Sequence, residues 1–156
     1  MKVELKNIKY AAFASQETHC FEATLYVDGR RRGTVSNEGH GGSNYYSDFS
    51  VERELDEYAK TLPKESVTFN GVAHEFAKSG DSLVDEALTD YLTRKELRSK
   101  MRSKVMFVQD EQLWESKTFQ KQDMPRAIKH FADKQLPVLN TMPIDEAVEI
   151  YRRLAA

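Results

Sequence analysis

The fold is decided by residues 18–29, which read THCFEATLYVDG. Apolar residues recur at every second position, Phe21, Ala23, Leu25 and Val27, with mostly polar residues between them. This period of two is typical of a strand with one buried face. The Asp-Gly pair that follows is a hairpin signal. The stretch therefore predicts a strand that turns back into an antiparallel pair.

The turn allows two registers for this hairpin. A strict two-residue turn would place Phe21 opposite Ser36. A three-residue loop would place Phe21 opposite Val35 and Ala23 opposite Gly33. We expect the three-residue loop because it keeps the apolar residues on one face of the sheet.

Upstream, residues 2–13 predict the strand that starts the sheet. Val3 and Leu5 share one alternation phase, whereas Ile8 and Tyr10 share the other. A change of phase within one strand is typical of a β-bulge, which we expect near positions 6–7. The N-terminal third is then predicted to be a three-stranded antiparallel meander.

Downstream, apolar residues take helical spacing. Helices are predicted from a cap at Ser50 to about residue 62, from Asp81 or Ser82 to about residue 101, over residues 124–134, and from Pro143 onward.

Two further segments suit short strands. Residues 105–109 and 113–119 predict one short hairpin, while residues 61–78 stay open between a hairpin around Asn70-Gly71 and a loop. We therefore expect a single α+β domain over residues 1–156. It would have an N-terminal antiparallel β-meander followed by a mainly helical C-terminal part with one further short hairpin.

Composition narrows the class of protein. The formal net charge of −2 provides no global basic field for nucleic acid or an anionic membrane. The one cysteine, Cys20, cannot form an internal disulfide, and the first ten residues show no secretory signal. No window is apolar enough to span a bilayer. We expect a cytoplasmic protein that does not enter a membrane; its oligomeric state stays open.

Side chains that could carry catalysis are scattered. The histidines His19, His40, His74 and His130 stand singly, and none has a partner at i+4. Cys20 follows His19 in a predicted strand, where neighbours point to opposite faces. The sequence predicts no catalytic residue, no metal site and no cofactor.

The glycine segment, residues 33–46, is the best candidate for a shaped site. It reads GTVSNEGHGGSNYY, and its possible ligand-binding residues are Asn37, His40, Asn44 and Tyr45. Backbone N–H groups of such a segment can hold a phosphate, but no P-loop lysine is present. We favour an ordered crossover from sheet to helix, in which glycines adopt positive φ and asparagines bond to nearby backbone.

Basic residues offer a second candidate surface. Arg94, Arg98 and Arg102, here called the basic stripe, recur at every fourth position of one predicted helix, and Arg31 lies on the first hairpin. Together they could bind a polyanion. The same helix begins with acidic residues, so acid at its start and base at its end can equally be complementarity to the helix dipole, which we favour.

Three stretches carry a family resemblance: residues 21–29 followed by residues 33–42, residues 104–108, and residues 138–147. Over most of its length the chain resembles a family of small uncharacterised bacterial and phage proteins that share a GTVSNxGHGG-type segment. The resemblance assigns no activity and no catalytic residue. It implies an origin in a phage or another mobile element.

The expectation for function follows from these points. We expect a non-enzymatic interaction protein that binds a bacterial host protein or nucleoprotein complex. Its most concrete form is a phage or mobile-element inhibitor that covers a surface of a defence or nucleic-acid-processing system. The alternatives are a small enzyme or ligand-binding protein that uses the glycine segment, and direct nucleic-acid binding through the basic stripe.

Overall fold

The computed structural model describes residues 1–155, which form two compact units, Met1–Thr89 and the described residues from Asp90 onward. The predicted α+β class is confirmed. In chain order the elements are β1 (Val3–Tyr10), β2 (Cys20–Val27), β3 (Arg30–Glu38), β4 (Tyr45–Tyr46), α1 (Phe49–Ala59), β5 (Glu65–Phe69), β6 (Val72–Phe76), α2 (Gly80–Met101), β7 (Met106–Gln109), β8 (Gln112–Glu115), α3 (Met124–Ala132) and α4 (Ile144–Leu154).

The N-terminal sheet is the predicted antiparallel meander, extended by the short strand β4 in the order β1-β2-β3-β4. The predicted bulge in β1 is confirmed, because the β1–β2 register shifts between Lys6 and Lys9. Asn7, within that shift, has a φ of 51°. The bulge changes the alternation phase of β1, which is what the sequence pattern indicated.

The expected register of the β2–β3 hairpin is wrong. The turn has two residues, since Val27 pairs with Arg30, and Phe21 pairs with Asn37 rather than Val35. A second register shift, between Thr24 and Tyr26 of β2, then leaves Ala23 opposite Val35. A bulge in β3, and not the expected three-residue loop, therefore places the apolar residues of the two strands on one face of the sheet.

Gly33 makes this second bulge possible. Its φ is +107°, and a Cβ at this position would lie 2.4 Å from Ser47 Oγ. The Ser47 hydroxyl accepts a hydrogen bond of 2.8 Å from the Thr34 N–H, and the Ser47 N–H donates to the Thr34 carbonyl at 3.0 Å. Only glycine combines this φ with so close an approach without strain.

The N-cap of helix α1 lies two residues earlier than expected. Asp48, not Ser50, is its N-cap, and the Asp48 carboxylate accepts from the Ser50 N–H at 2.9 Å and the Ser50 hydroxyl at 2.6 Å. These bonds hold the pKa of Asp48 below its usual value. Serine fits the pattern of a cap, but aspartate two residues earlier satisfies the free N–H groups with a charge.

The core of the N-terminal unit combines one face of the sheet with one face each of α1 and α2. Helix α2 starts against α1: the Gly80 N–H donates to Asp56 Oδ1 at 2.6 Å, and a Cβ on Gly80 would lie 2.9 Å from Leu55 Cβ. The fully or nearly fully buried apolar residues here are Phe21, Ala23, Leu25, Val27, Val35, Tyr46, Val51, Leu55, Ala59, Leu83, Val84 and Leu88.

In the C-terminal unit, β7 is buried on both faces. Leu97, Met106, Leu139, Ala147, Val148 and Tyr151 form one cluster, and Val105, Phe107, Met124, Ala127 and Val138 form another. Successive strand residues point to opposite sides. The predicted hairpin is present, since β7 and β8 pair antiparallel, although β8 ends at Glu115 instead of continuing to residue 119.

Candidate functional site

The glycine segment folds into a tight loop that joins β3 to β4. Gly39, Gly41 and Gly42 have φ values of 86°, 93° and 85°. A Cβ on Gly39 would lie 2.1 Å from the carbonyl O of Ala14, and the Gly39 carbonyl accepts N–H groups of Gln16 and Glu17 at 3.0 Å each. The loop is therefore pressed against the β1–β2 connection at a glycine.

Asn37 is the centre of this loop. Its Oδ1 atom accepts from the Gly39 N–H at 2.9 Å and from the Thr18 hydroxyl at 2.6 Å. Its Nδ2 atom donates to the Gly42 carbonyl at 3.2 Å and to Asn44 Oδ1 at 3.1 Å. A side-chain amide has two donors and two acceptor sites, so the amide of Asn37 is fully used within the protein.

Asn44 links the loop to the first turn of α2. Its N–H donates to Asp81 Oδ2 at 3.1 Å, and its Nδ2 atom approaches Asp85 Oδ1 at 3.5 Å. The Tyr46 hydroxyl donates to the other oxygen of Asp81 at 2.8 Å. Carboxylates are favourable at a helix N-terminus, so Asp81 serves both the helix and the loop.

Burial shifts the pKa values of two groups in this network. It raises the pKa of Asp85, against the hydrogen bond from Asn44 and the charge of His19. It also raises the pKa of Tyr46 well above its usual value, and the bond to Asp81 adds to this. Tyr46 therefore remains a protonated donor at physiological pH, which suits a structural role.

His40 and Tyr45 are the candidate residues that the segment exposes. His40 is exposed and makes no hydrogen bond within residues 1–155, and Tyr45 is 64% exposed. A general base needs an imidazole that a second group orients. Asp48, which follows the glycine segment in the chain, is the cap of α1. The segment thus brings Asn37 and Asn44 together and leaves His40 outside their network.

A small cleft beside this network was not foreseen from the sequence. It has a volume of about 400 Å³, and Tyr10, Glu17, His19 and Asp85 are among its lining residues. The Tyr10 hydroxyl and His19 Nδ1 lie 3.2 Å apart. Tyr10 ends β1, Glu17 and His19 lie in the β1–β2 connection and Asp85 lies on α2, so no local spacing marks the set. Within the described chain, no three His, Cys, Asp or Glu side chains are arranged to hold a metal ion.

The basic stripe does not act as one surface. Arg94 donates to Asp90 and to Asp145, each at 2.6 Å, and Asp90 also accepts from Arg152 at 2.5 Å. These bonds tie α2 to α4. Burial opposes ionisation of Asp90, but the hydrogen bonds from Arg94 and Arg152 outweigh it and hold the pKa of Asp90 below its usual value.

The other candidate arginines are free for binding. Arg31, Arg98 and Arg102 are exposed, and none of them forms an ion pair with a residue in 1–155. Arg31 lies opposite Tyr26 on the β2–β3 hairpin. Only two residues of the predicted stripe, Arg98 and Arg102, therefore remain as candidates for contact with a polyanion.

Of the two structures that the sequence left open for residues 61–78, the hairpin is the one present, as β5–β6. The register pairs Phe69 with Val72, Val67 with His74, and Glu65 with Phe76. Directly paired residues share a face of a sheet. We call the exposed set Val67, Phe69, Val72, His74 and Phe76 the hairpin face.

This face is open to solvent. Phe69 is 68% exposed and Phe76 57%, and every residue of β5 and β6 is exposed. The opposite face carries smaller or polar residues, Ser66, Thr68, Ala73 and Glu75. The sequence signal was the pair Val67 and Phe69 before Asn70-Gly71, but alternation alone does not say what covers an apolar face.

Lys78 fixes the base of the hairpin. Its ammonium group contacts Glu65 at the start of β5, at 3.1 Å, and also Glu86 on α2. The two glutamates raise the pKa of Lys78, and the hydrogen bond that Lys78 donates to Glu86 is the larger cause. The hairpin is thus joined to α2 by charge and projects its apolar face outward.

Comparison with known proteins adds no relative, since no protein-family model, curated protein or solved structure matches the chain. Among the described residues, no helix has the length and apolar character needed to cross a membrane.

Proposed function

We propose that this chain is a non-enzymatic interaction protein that binds a bacterial host protein, alone or within a nucleoprotein complex, through the hairpin face. The observation that carries the proposal is the exposure of Phe69, Phe76 and their neighbours on one side of a two-stranded sheet. Contiguous exposed apolar residues of this kind are characteristic of protein-binding surfaces.

The form of the hairpin supports the same function. An isolated two-stranded sheet is only marginally stable in water. Burial of Phe69 and Phe76 against a partner would supply the apolar contact that the hairpin lacks, and the open strand edges can add main-chain hydrogen bonds. Aromatic side chains on a small projecting element are also typical binding hot spots.

The glycine segment supports a ligand-binding enzyme less well. The amide of Asn37 has no unused donor or acceptor, and His40 has no orienting group among residues 1–155. A catalytic imidazole would need both a positioned ring and a neighbouring binding cavity. The hairpin face needs no rearrangement to be accessible.

The more specific proposal concerns inhibition. The family resemblance of residues 33–42 points to a phage or mobile-element origin, and a small binder of that origin would act on a host defence or nucleic-acid-processing system. Its mechanism would be occlusion: the bound hairpin face covers a surface that the host machine needs. Addition of the protein to the purified partner should then reduce the partner's activity in proportion to occupancy.

The test uses charge on the hairpin face. The double substitution Phe69→Glu and Phe76→Glu should abolish capture of the partner from nuclease-treated bacterial lysate and abolish inhibition of the purified partner. Thr68→Glu, on the opposite face of the same hairpin, is the matched control and should leave both unchanged. Equal capture and inhibition by the unchanged protein, the double variant and the Thr68→Glu control would overturn the proposal.

A further inference from the structure

A second surface lies in the C-terminal unit, where β8 leads into α3. This aromatic cleft has a volume of about 480 Å³, within the range of roughly 300–1,000 Å³ that is common for small-ligand sites. Phe119, Ala127 and Phe131 provide its apolar lining, and Lys117, Arg126 and His130 are its basic or imidazole lining residues. The cleft shares no residue with the hairpin face and does not depend on the function proposed above.

The aromatic rings of the cleft are held in place. Phe131 stacks on Phe107 with ring centroids 4.6 Å apart, and His130 meets Phe131 edge-on at 5.5 Å. The Phe119 N–H donates to the carbonyl O of Ser103 at 2.7 Å. Phe119 and Phe131 are half-buried, so each ring is anchored by the fold while part of it stays accessible.

The charges around the cleft favour an anion. Lys117 and Arg126 are exposed and form no ion pair with any residue in 1–155. Lys117 lies over the ring of Phe119, 5.5 Å from its centroid, and Lys134 lies over Phe131 at 5.4 Å. The lining also includes one carboxylate, Asp123, so the basic groups outnumber the acidic one.

We propose that the aromatic cleft binds single-stranded nucleic acid, with a base stacked on Phe119 or Phe131 and the flanking phosphates at Lys117 and Arg126. Stacking on aromatic side chains beside unpaired cations is the chemistry by which proteins bind single strands. An acidic peptide would satisfy the cations but would make no use of the two accessible rings.

The backbone contact at Ser103 extends this surface. Ser103 follows Arg102 in the chain, so the wall of the cleft that carries Phe119 adjoins the last residue of the basic stripe. Arg98 and Arg102 lack ion-pair partners among the described residues. A strand that leaves the cleft on this side would approach Arg102, whose exposed side chain could contact a further phosphate.

The experiment measures fluorescence anisotropy of a labelled twelve-residue oligothymidylate with the full chain at low salt. The double substitution Lys117→Glu and Arg126→Glu should weaken binding by at least about tenfold because it reverses two phosphate contacts. Phe131→Leu keeps the charges and most of the apolar volume, and it should weaken binding about five- to hundredfold through loss of stacking. Phe119→Leu is a second stacking variant should Phe131→Leu fold poorly.

The matched control is Lys129→Glu. Lys129 is also a lysine of the C-terminal unit, on α3, but it pairs with Asp133 and does not line the cleft. It should bind the oligonucleotide within about twofold of the unchanged protein.

Several outcomes would overturn the inference. One is the absence of binding up to about 100 µM protein, the weak end of non-specific nucleic-acid affinity. A second is equal weakening by the control and the cleft variants. A third is equally tight binding of an oligoglutamate peptide of the same charge, because this would indicate charge attraction without stacking.

Discussion

The side-chain amide of Asn37 donates to Asn44 Oδ1 at 3.1 Å, and both residues are buried. This bond closes the loop between β3 and β4, and Asn44 in turn bonds Asp81 at the start of α2. The most polar and glycine-rich part of the chain is therefore an internal junction. A contiguous set of exposed apolar residues, which a partner could cover, lies on the β5–β6 hairpin instead.

Replacement of Asn37 by alanine should lower the free energy of unfolding by about 1–3 kcal/mol, since it removes all the hydrogen bonds that the buried amide of Asn37 makes. Ser43→Ala, in the same loop at an exposed position, is the control and should change the stability by less than about 0.5 kcal/mol. Urea unfolding measures both. Equal stability of the two variants would contradict the structural role of Asn37.

Two glycines of the loop should differ sharply in their tolerance of a methyl group. Gly42 has a φ of +85° with nothing within 4 Å of its added Cβ, whereas Gly39 has a φ of +86° and would meet the Ala14 carbonyl. Gly42→Ala should cost about 1–2 kcal/mol for its φ alone.

Gly39→Ala should cost clearly more than Gly42→Ala, because the backbone of the β1–β2 connection must also move. Unfolding curves of the two variants under identical conditions test this difference. Similar costs would mean that the loop does not pack against residues 14–18 as described.

The ion pairs of Asp90 predict a dependence of stability on pH. An aspartate in the unfolded chain has a pKa of about 3.9, and Arg94 and Arg152 hold the pKa of Asp90 in the folded protein lower. The contribution of Asp90 to stability is therefore complete above the unfolded pKa and lost as the pH falls through the folded pKa.

Asp90→Asn should therefore reduce the stability at pH 7 by up to about 1 kcal/mol. The deficit should shrink toward zero in acid. Glu149→Gln, at an exposed position of α4, should show neither effect. A deficit that is constant across the acid range would exclude this linkage.

The three arginines of the basic stripe should differ in their contribution to the free energy of unfolding. Arg94→Ala breaks the bonds to Asp90 and Asp145 and should lower the free energy of unfolding by about 1 kcal/mol. The double change Arg98→Gln and Arg102→Gln should cost less than Arg94→Ala, because both side chains are exposed and unpaired among residues 1–155 and lose only their interaction with the helix dipole. Thermal unfolding distinguishes these cases. A larger loss from the double change than from Arg94→Ala would contradict the assignment.

Much of the fold could be predicted because its signals are local. The alternation from Phe21 to Val27 and the Asp-Gly turn predicted the first hairpin, and the phase change near Lys6 predicted the bulge in β1. The β3 bulge was missed because its cause, the approach of Ser47 to Gly33, comes from a residue far along the chain. Val27 still pairs with Arg30 across the two-residue turn, and the bulge then shifts the register toward Phe21.

The candidate site was predictable only in part, for a similar physical reason. That Asn37 bonds nearby backbone follows from its position before a glycine, and the structure has this bond to Gly39. The bond from Asn44 to Asp81 depends on how α2 begins. The exposure of Phe69 was the hardest feature to foresee, because hydrophobic periodicity predicts an apolar face without showing whether the chain itself covers that face.

Site-specific photo-crosslinking tests the central claim most directly. A photoreactive phenylalanine derivative is placed at position 69 on the hairpin face, and in a control protein at Phe13, which is 92% exposed and lies outside the hairpin. On illumination with the purified host partner, position 69 should give one dominant crosslinked product that excess unlabelled protein suppresses, and position 13 should not. Crosslinking from position 13 alone, or equal crosslinking from both positions, would show that the hairpin face is not the binding surface.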